Sequence, residues 1–395
     1  MKDNVKNDIL ELNVEEMPGL SFDCQCGRHH SVDIEKIVVG NGILGELIDT
    51  LEPFRAGKLL VISDTNTYGV FGKRVAEHLG QAGFLLKTFI FETPGHALIP
   101  DEHAIGRLLI ELEQDTSLIL AVGSGVMNDL ARIIAYRTGK SFAIAGTAPS
   151  MDGYASVVSP LIINGKKNTY PGKYPSTIFA DTSIMRDAPM VMIRAGYGDV
   201  LGKLTSLAEW KLSNILNNEY YCETIAGLVR KGVDRCIEST DGLASRDEDA
   251  IRRLIEALIL TGISMGLAGV SRPASGTEHQ LAHYWEVKDI EAGREHALHG
   301  NAVGAATVVT ATLYELAADI LPEGFEYPAS EYVKKLLERI GAFTSPRDLG
   351  ISRELFEDSL MNAMYLRDRY SLLRFCHEKG KLAVYKDILV RRFYS

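Results

Sequence analysis

The sequence predicts an α/β half built on a parallel sheet followed by an all-α half, and three observations lead there. The chain has 395 residues, more than one hydrophobic core usually serves. From about residue 36, short β-branched runs alternate with helical patterns. Beyond about residue 184 nearly every segment is helical in period, with no Pro/Ser-rich linker at the change. The expected division is 1–183 and 184–395.

KLLVIS (58–63) reads as a buried strand, followed by SDTNTY and the helix-like GKRVAEHLGQAG. FLLKTFIF (84–91) is a second strand. DEHAIGRLLIELEQ (101–114) is amphipathic, with Asp101 as N-cap and apolar positions at 105, 108, 109 and 112. SLILAV (117–122) is a third strand, ended by a glycine turn that opens a helix, and SFAIAG (141–146) is a fourth. Strand, turn, helix and strand at this spacing mark a parallel sheet covered on both faces. SPLIINGKKNTYP and PSTIFAD form a turn-rich stretch with a hairpin signal at Asn164-Gly165. The helical half follows, and a cleft between the halves is where a ligand is expected.

Composition excludes several classes. A net charge of −10 argues against sequence-independent nucleic-acid binding, which needs clustered Lys and Arg. The most apolar stretch, ALILTGISMGLAGV (257–270), stops short of the roughly 20 residues that span a bilayer. MKDNVKNDILELNVEE lacks the apolar centre of a signal peptide, so no membrane insertion and a cytoplasmic location are expected. Five cysteines in so long a chain are no disulfide framework. CQCGRHH (24–30) brings two thiols and two imidazoles together. Cys24 and Cys26 are nevertheless too close in sequence for a zinc knuckle, and no second pair follows nearby. The segment reads as the turn of an N-terminal strand.

Three stretches carry chemistry. GSGVMND (123–129) lies between a strand and a helix, where Gly123, Ser124 and Gly125 let backbone N–H groups approach a pyrophosphate at a helix N-terminus. GTAPSMDGYAS (146–156) follows the next strand and supplies the hydroxyls of Thr147, Ser150 and Ser156. Asp64, at the carboxyl end of its strand, suits either a ribose hydroxyl or a helix N-cap. In the helical half, His279 and His283 share one helical face, and His299 opens an apolar helix, with His296 as its competitor. Such imidazoles hold a divalent cation when a carboxylate joins them; Asp199 is the candidate, though a helix cap explains it equally.

Taken in order, GSGVMND, TAPSMDGYAS, GYGDVLGK, SGTEHQLAH and LHGNAVG resemble the iron-containing alcohol dehydrogenase superfamily, with its dehydroquinate synthase-like fold. That group includes glycerol dehydrogenase and dehydroquinate synthase. Within it the sequence is most similar to the glycerol-1-phosphate dehydrogenases, in the bacterial form associated with arabinose genes. The resemblance covers roughly residues 30 to 390. It implies Asp199, His279 and His299 as ligands of one divalent metal per subunit, which zinc, nickel or iron would fit. It implies His283 and Asp152 facing the substrate. The nucleotide contacts would be Asp64, the 123–129 turn with Asn128 and Asp129, Thr147, Ala148, Pro149, Ser150 and Ser156. Iron-dependent members carry a fourth ligand histidine where this chain has Lys203. A lysine there suits a substrate phosphate as a point charge, unless it is simply a solvated helix residue. Lys166, Lys167 and Lys173 are further phosphate candidates.

The activity so implied is reversible, NAD(P)-dependent reduction of dihydroxyacetone phosphate to sn-glycerol 1-phosphate. Asp64 tilts the expectation toward NAD, with NADP possible. A glycerol or other polyol dehydrogenase, a lyase of the dehydroquinate synthase kind and a non-catalytic nucleotide binder are the alternatives. A homo-oligomer, with a dimer favoured, and a role in phospholipid biosynthesis complete the expectation.

Overall fold

The computed structural model describes residues 9–93 and 97–395. A short antiparallel hairpin, β1 (Ser21–Asp23) and β2 (His29–Ser31), precedes the main sheet. The sheet has six parallel strands, β3 (Lys36–Gly40), β4 (Lys58–Asp64), β5 (Leu85–Phe91), β6 (Thr116–Gly123), β7 (Ser141–Gly146) and β10 (Thr177–Asp181). They lie in the order β3-β10-β7-β6-β4-β5. β8 (Val158–Ile163) and β9 (Lys166–Pro171) form a separate antiparallel hairpin. It turns at Asn164-Gly165, both with positive φ as that turn requires.

The order places the topological switch between β4 and β6, because the chain leaves β4 to one side and returns on the other. Ligands of open α/β sheets sit outside the carboxyl ends of the strands at such a point. Asp64 ends β4 and Gly123 ends β6, so both lie on that crevice.

Local departures from expectation have simple causes. SDTNTY leads straight into helix. The chain turns helical at Thr65–Thr67 and continues through a π-helical turn, Tyr68–Gly72, into α2 (Lys73–Gln81). The preceding helix, α1, is Leu44–Leu51. α3 (Glu102–Glu111) has its expected cap, Asp101 accepting from the Ala104 N–H at 2.8 Å. It buries only Ala104 and Leu108, however, while Leu109 remains 49% exposed because the helix meets the sheet along a narrow stripe. TIFAD, placed in a turn-rich stretch by the sequence reading, is a fully buried central strand. α4 (Gly125–Thr138) follows β6.

The helical half is organised by α6 (Met190–Asn217), which follows the short α5 (Thr182–Arg186). After it come α7 (Glu223–Glu238), α8 (Thr240–Ala244), α9 (Glu248–Ala268), α10 (Thr277–Glu291) and α11 (His299–Leu316). α6 packs chiefly on α11, and glycine permits the contact: a Cβ on Gly300 would sit 1.9 Å from the Ala195 carbonyl oxygen. A Cβ on Gly196 would meet the Pro149 carbonyl oxygen at 1.8 Å, so the same helix presses against the loop after β7. One continuous apolar core runs across both halves. No helix among the described residues is long and apolar enough to cross a membrane.

Candidate metal and substrate site

Asp199 is the tenth residue of α6 and fully buried, so the helix-cap explanation fails; Pro189 holds the N-cap position. Lys203 follows one turn later on the same face. Across from them α10 presents His279 and His283, and α11 begins at His299. The ligand atoms of Asp199, His279 and His299 all lie within 4.8 Å of one another. Nε2 of His279 is 3.5 Å from Asp199 Oδ1. Two imidazoles and a carboxylate, buried and convergent, fit a divalent cation with a position left open. His283, Glu286 and His299 make a second convergent trio that shares His299. His296 belongs to neither, and its Nδ1 faces the Ala297 carbonyl at 3.0 Å.

His279 is fixed by a residue that the sequence reading passed over. Its Nδ1 lies 2.8 Å from Glu278 Oε1, which leaves Nε2 to face Asp199. The buried Glu278 carboxylate also accepts from Thr205 Oγ1 at 2.7 Å and from the Gly276 N–H. Such an outer partner orients a ligand imidazole and raises its basicity. Burial and Lys203 pull the His279 pKa down, but Asp199 and Glu278 outweigh them and hold it above its ordinary value. Burial pushes His299 down to about 4, so it is neutral and able to ligate at neutral pH. For Asp199, burial is outweighed by Lys203 and the two imidazoles, and the carboxylate stays ionised.

Lys203 corrects an expectation. It is fully buried, 2.6 Å from Asp199 Oδ1 and 2.8 Å from Asp152 Oδ2, so its charge is committed to two carboxylates and is not free for a phosphate. Asp152 stands in a single 3-10 turn, Asp152–Ala155, and its N–H donates to Asp199 Oδ2 at 2.9 Å. The three side chains tie the loop after β7 to α6.

The nucleotide loops are only partly as expected. The registered pair Gly123 and Gly146 brings the turn after β6 beside the loop after β7, where Ser124 and Ser150 hydroxyls are 3.5 Å apart. No side chain caps α4, so its first-turn N–H groups remain available to an anion beside Gly125. Thr147 is anchored through its N–H on the Gly123 carbonyl at 2.9 Å. Five other candidates are engaged in holding the framework. Asn128 donates to the Gly153 carbonyl at 2.8 Å, and Asp129 pairs with buried Arg132 at 2.7 Å. The Ala148 carbonyl accepts from Tyr154, and Ser156 bonds within its own turn to the Val158 N–H. The carbonyl of Pro149 is packed against Gly196. Asp64 is the N-cap of the turn after β4, accepting from the Thr67 N–H at 2.8 Å, and keeps its place on the crevice.

A cavity of about 260 Å³ adjoins His283. Lys167, Asn168, Thr169, Gln280, Arg367 and Arg369 line it, so three cations face one space. Lys167 is 2.5 Å from Glu286, which in turn lies 3.6 Å from Nδ1 of His283. Arg369 donates to Ser275 Oγ at 2.9 Å, whereas the Arg367 side chain makes no hydrogen bond or ion pair among the described residues. Of the lysines expected there, Lys166 is exposed and Lys173 turns to the Lys140 carbonyl at 3.1 Å; only Lys167 faces the cavity. The arginines of LRDRY (366–370) escaped notice because no periodicity or glycine turn marks them; two arginines one residue apart in a loop were the available signal.

Residues 38–189 match the profile of the iron-containing alcohol dehydrogenases. Over 387 residues the chain is 35% identical to a glycerol-1-phosphate dehydrogenase of Halalkalibacterium halodurans, covering 92% of this chain and 97% of the relative. It is likewise 35% identical over 372 residues to one from Bacillus licheniformis, at 91% and 93% coverage. Among solved structures, glycerol dehydrogenase from Schizosaccharomyces pombe superposes with a TM-score of 0.67 at 17% identity, covering 92% and 93%. That last likeness shows the shared fold. The chain belongs to the glycerol-1-phosphate dehydrogenase family within the iron-containing alcohol dehydrogenases.

Proposed function

We propose that this enzyme reversibly reduces dihydroxyacetone phosphate to sn-glycerol 1-phosphate, with NAD(P)H as the reductant. The observation that carries the substrate assignment is the cavity in which Lys167, Arg367 and Arg369 meet beside His283 and the Asp199, His279 and His299 cluster. A plain polyol has no use for two arginines without carboxylate partners, whereas a phosphate does.

When bound, a divalent cation on Asp199, His279 and His299 supplies Lewis-acid polarisation of the substrate oxygens, and the nicotinamide supplies the hydride. The chain itself does the rest. Arg367 and Arg369 hold the phosphate, while Lys167 stands beside it already paired with Glu286. Lys203 keeps Asp199 ionised and holds Asp152 in register with it, while burial and Asp199 raise the Asp152 pKa. The uncapped start of α4 receives the pyrophosphate, and Asp64 orients a ribose hydroxyl and disfavours a 2′-phosphate. Burial holds the His283 pKa well below its ordinary value, despite Glu286 beside it. At neutral pH His283 is therefore a base and relay rather than a stored acid. It takes the hydroxyl proton in the oxidative direction and passes a proton inward, through Nε2, in the reductive one.

Zinc, nickel and iron all suit two imidazoles and a carboxylate. We take the enzyme to act in the cytoplasm as a dimer, with residues 1–183 binding nucleotide and 184–395 binding metal and substrate. Its product would enter phospholipid synthesis. The test is NADH oxidation with dihydroxyacetone phosphate, dihydroxyacetone and simple aldehydes, before and after chelation. Activity confined to the phosphorylated ketone and lost on chelation is expected. Equal rates with dihydroxyacetone would overturn the substrate assignment in favour of a polyol dehydrogenase. Turnover of a substrate with no net change in NADH would favour the lyase.

A further inference from the structure

The CQCGRHH segment does form the expected strand turn, and the fold brings it a partner from far along the chain. β1 and β2 close over a tight turn in which the Cys24 N–H donates to the Arg28 carbonyl and Gly27 has a φ of +84°. The hairpin docks on the connection between α6 and α7, where Arg28 stacks on Tyr220, its guanidinium carbon 3.4 Å from the ring centroid. Cys222, the residue preceding α7, arrives there fully buried.

Four donor atoms then converge: Sγ of Cys24, Cys26 and Cys222, and Nε2 of His30, all within 4.8 Å of one another. Cys24 and Cys222 sulfurs are 3.6 Å apart. His30 Nε2 lies 3.2 Å from Cys26 Sγ and 3.8 Å from Cys222 Sγ. A tetrahedron with Zn–S bonds of about 2.3 Å requires sulfurs about 3.8 Å apart and slightly shorter S–N edges. The one short S–S edge, 3.6 Å, lies just below that spacing, and the two S–N edges, 3.2 and 3.8 Å, fall on either side of theirs.

The surroundings have the character of a metal site as well. Nδ1 of the buried His30 is 2.7 Å from the Leu267 carbonyl of α9, so it carries the proton and leaves the Nε2 lone pair toward the sulfurs. The cluster shares no residue with the Asp199 site.

We propose that Cys24, Cys26, His30 and Cys222 bind a structural zinc ion. With all four positions filled by protein, the site offers no open position for a substrate. Its effect is to staple the N-terminal hairpin to the start of α7 and to the α9 C-terminus. The closure joins residues almost two hundred positions apart. It is also the anchor of the segment that follows α6, the helix bearing Asp199.

Metal analysis of the reduced, full-length protein tests this. Wild type should hold two metal ions per chain. His279→Ala, which disables the other cluster, should retain one zinc, and His279→Ala with Cys222→Ser should retain none. Cobalt substituted into His279→Ala should show thiolate-to-cobalt charge-transfer absorption. Because the Cys222→Ser protein can misfold, the cobalt spectrum and a chelator-induced fall in the melting temperature of His279→Ala serve as independent readings. A His279→Ala protein that takes up no zinc, or a cobalt spectrum without thiolate bands, overturns the proposal. So does a Cys24–Cys222 disulfide in the freshly isolated protein.

Discussion

Arg367→Gln separates phosphate recognition from everything else in the site. The guanidinium lines the cavity, is half-buried, and has no ion-pair partner among the described residues. Removing it therefore breaks no existing pair, and stability should change by no more than about 0.5 kcal/mol. A hydrogen bond to a charged group contributes about 1.5–3 kcal/mol, so kcat/KM for dihydroxyacetone phosphate should fall roughly 10- to 150-fold. With unphosphorylated dihydroxyacetone the rate, however small, should not change. Arg369→Gln is the contrasting case. That side chain also donates to Ser275 Oγ and to the Gly276 carbonyl at 3.2 Å, which hold the turn leading into α10 and His279. Its loss should depress both substrates. The assay is initial-rate NADH oxidation with each ketone. Equal proportional losses for both ketones in Arg367→Gln would refute the assignment of Arg367 to the phosphate.

Three further outcomes follow from named contacts. Glu278→Gln removes the carboxylate behind His279 and should weaken metal affinity roughly 10- to 100-fold, read by competition with a chromogenic chelator. Gly196→Ala drives a Cβ into the Pro149 carbonyl and should cost at least about 1–3 kcal/mol, seen in chemical denaturation, with lost activity because the Asp152 loop shifts. In metal-stripped protein, His279 is held above its ordinary pKa despite burial. Its stabilising contribution is complete below the unfolded value of about 6.5 and is lost as pH rises through the higher folded value. The melting temperature of the stripped protein should fall across that window, and a flat profile would contradict the pairing.

Much of the sheet was legible because buried parallel strands read as continuous apolar runs and their turns carry glycine. TIFAD escaped because five residues between proline-rich turns give no period to detect, and only pairing with β3 and β7 on both sides makes it a central strand. At the site, His279 and His283 were visible through their helical spacing and His299 because it opens an apolar helix. Asp199 was ambiguous because a carboxylate near an expected helix start is usually a cap, and only the observed start at Met190 removes that option. Glu278 and Cys222 were invisible for one shared reason: each acquires its role from a partner that folding delivers, and neither spacing nor composition records such a meeting. The arginines at 367 and 369 belong to the same class, since the hairpin bearing Lys167 completes their cavity.

Lys203 is where the two readings diverge most sharply, and one substitution separates them. As a solvated helix residue, Lys203→Met would move stability by less than about 0.5 kcal/mol. As a phosphate anchor, it would spare the fold and selectively harm the phosphorylated substrate. The structure places the ammonium fully buried between Asp152 and Asp199, so Lys203→Met leaves two neighbouring carboxylates without their cation. Breaking a buried pair by removing one partner costs about 3–5 kcal/mol. That loss should be largest in metal-stripped protein and smaller once a divalent cation is added, because the cation replaces positive charge beside Asp199. Activity should then fall for dihydroxyacetone and its phosphate alike. A lysine held 2.6 Å from Asp199 and 2.8 Å from Asp152 adds no fourth ligand at position 203, and a three-ligand site would leave room for a substrate oxygen. Denaturation with and without metal, beside rates for both ketones, decides among the three roles. A stable Lys203→Met protein defective only toward the phosphate would restore the point-charge role.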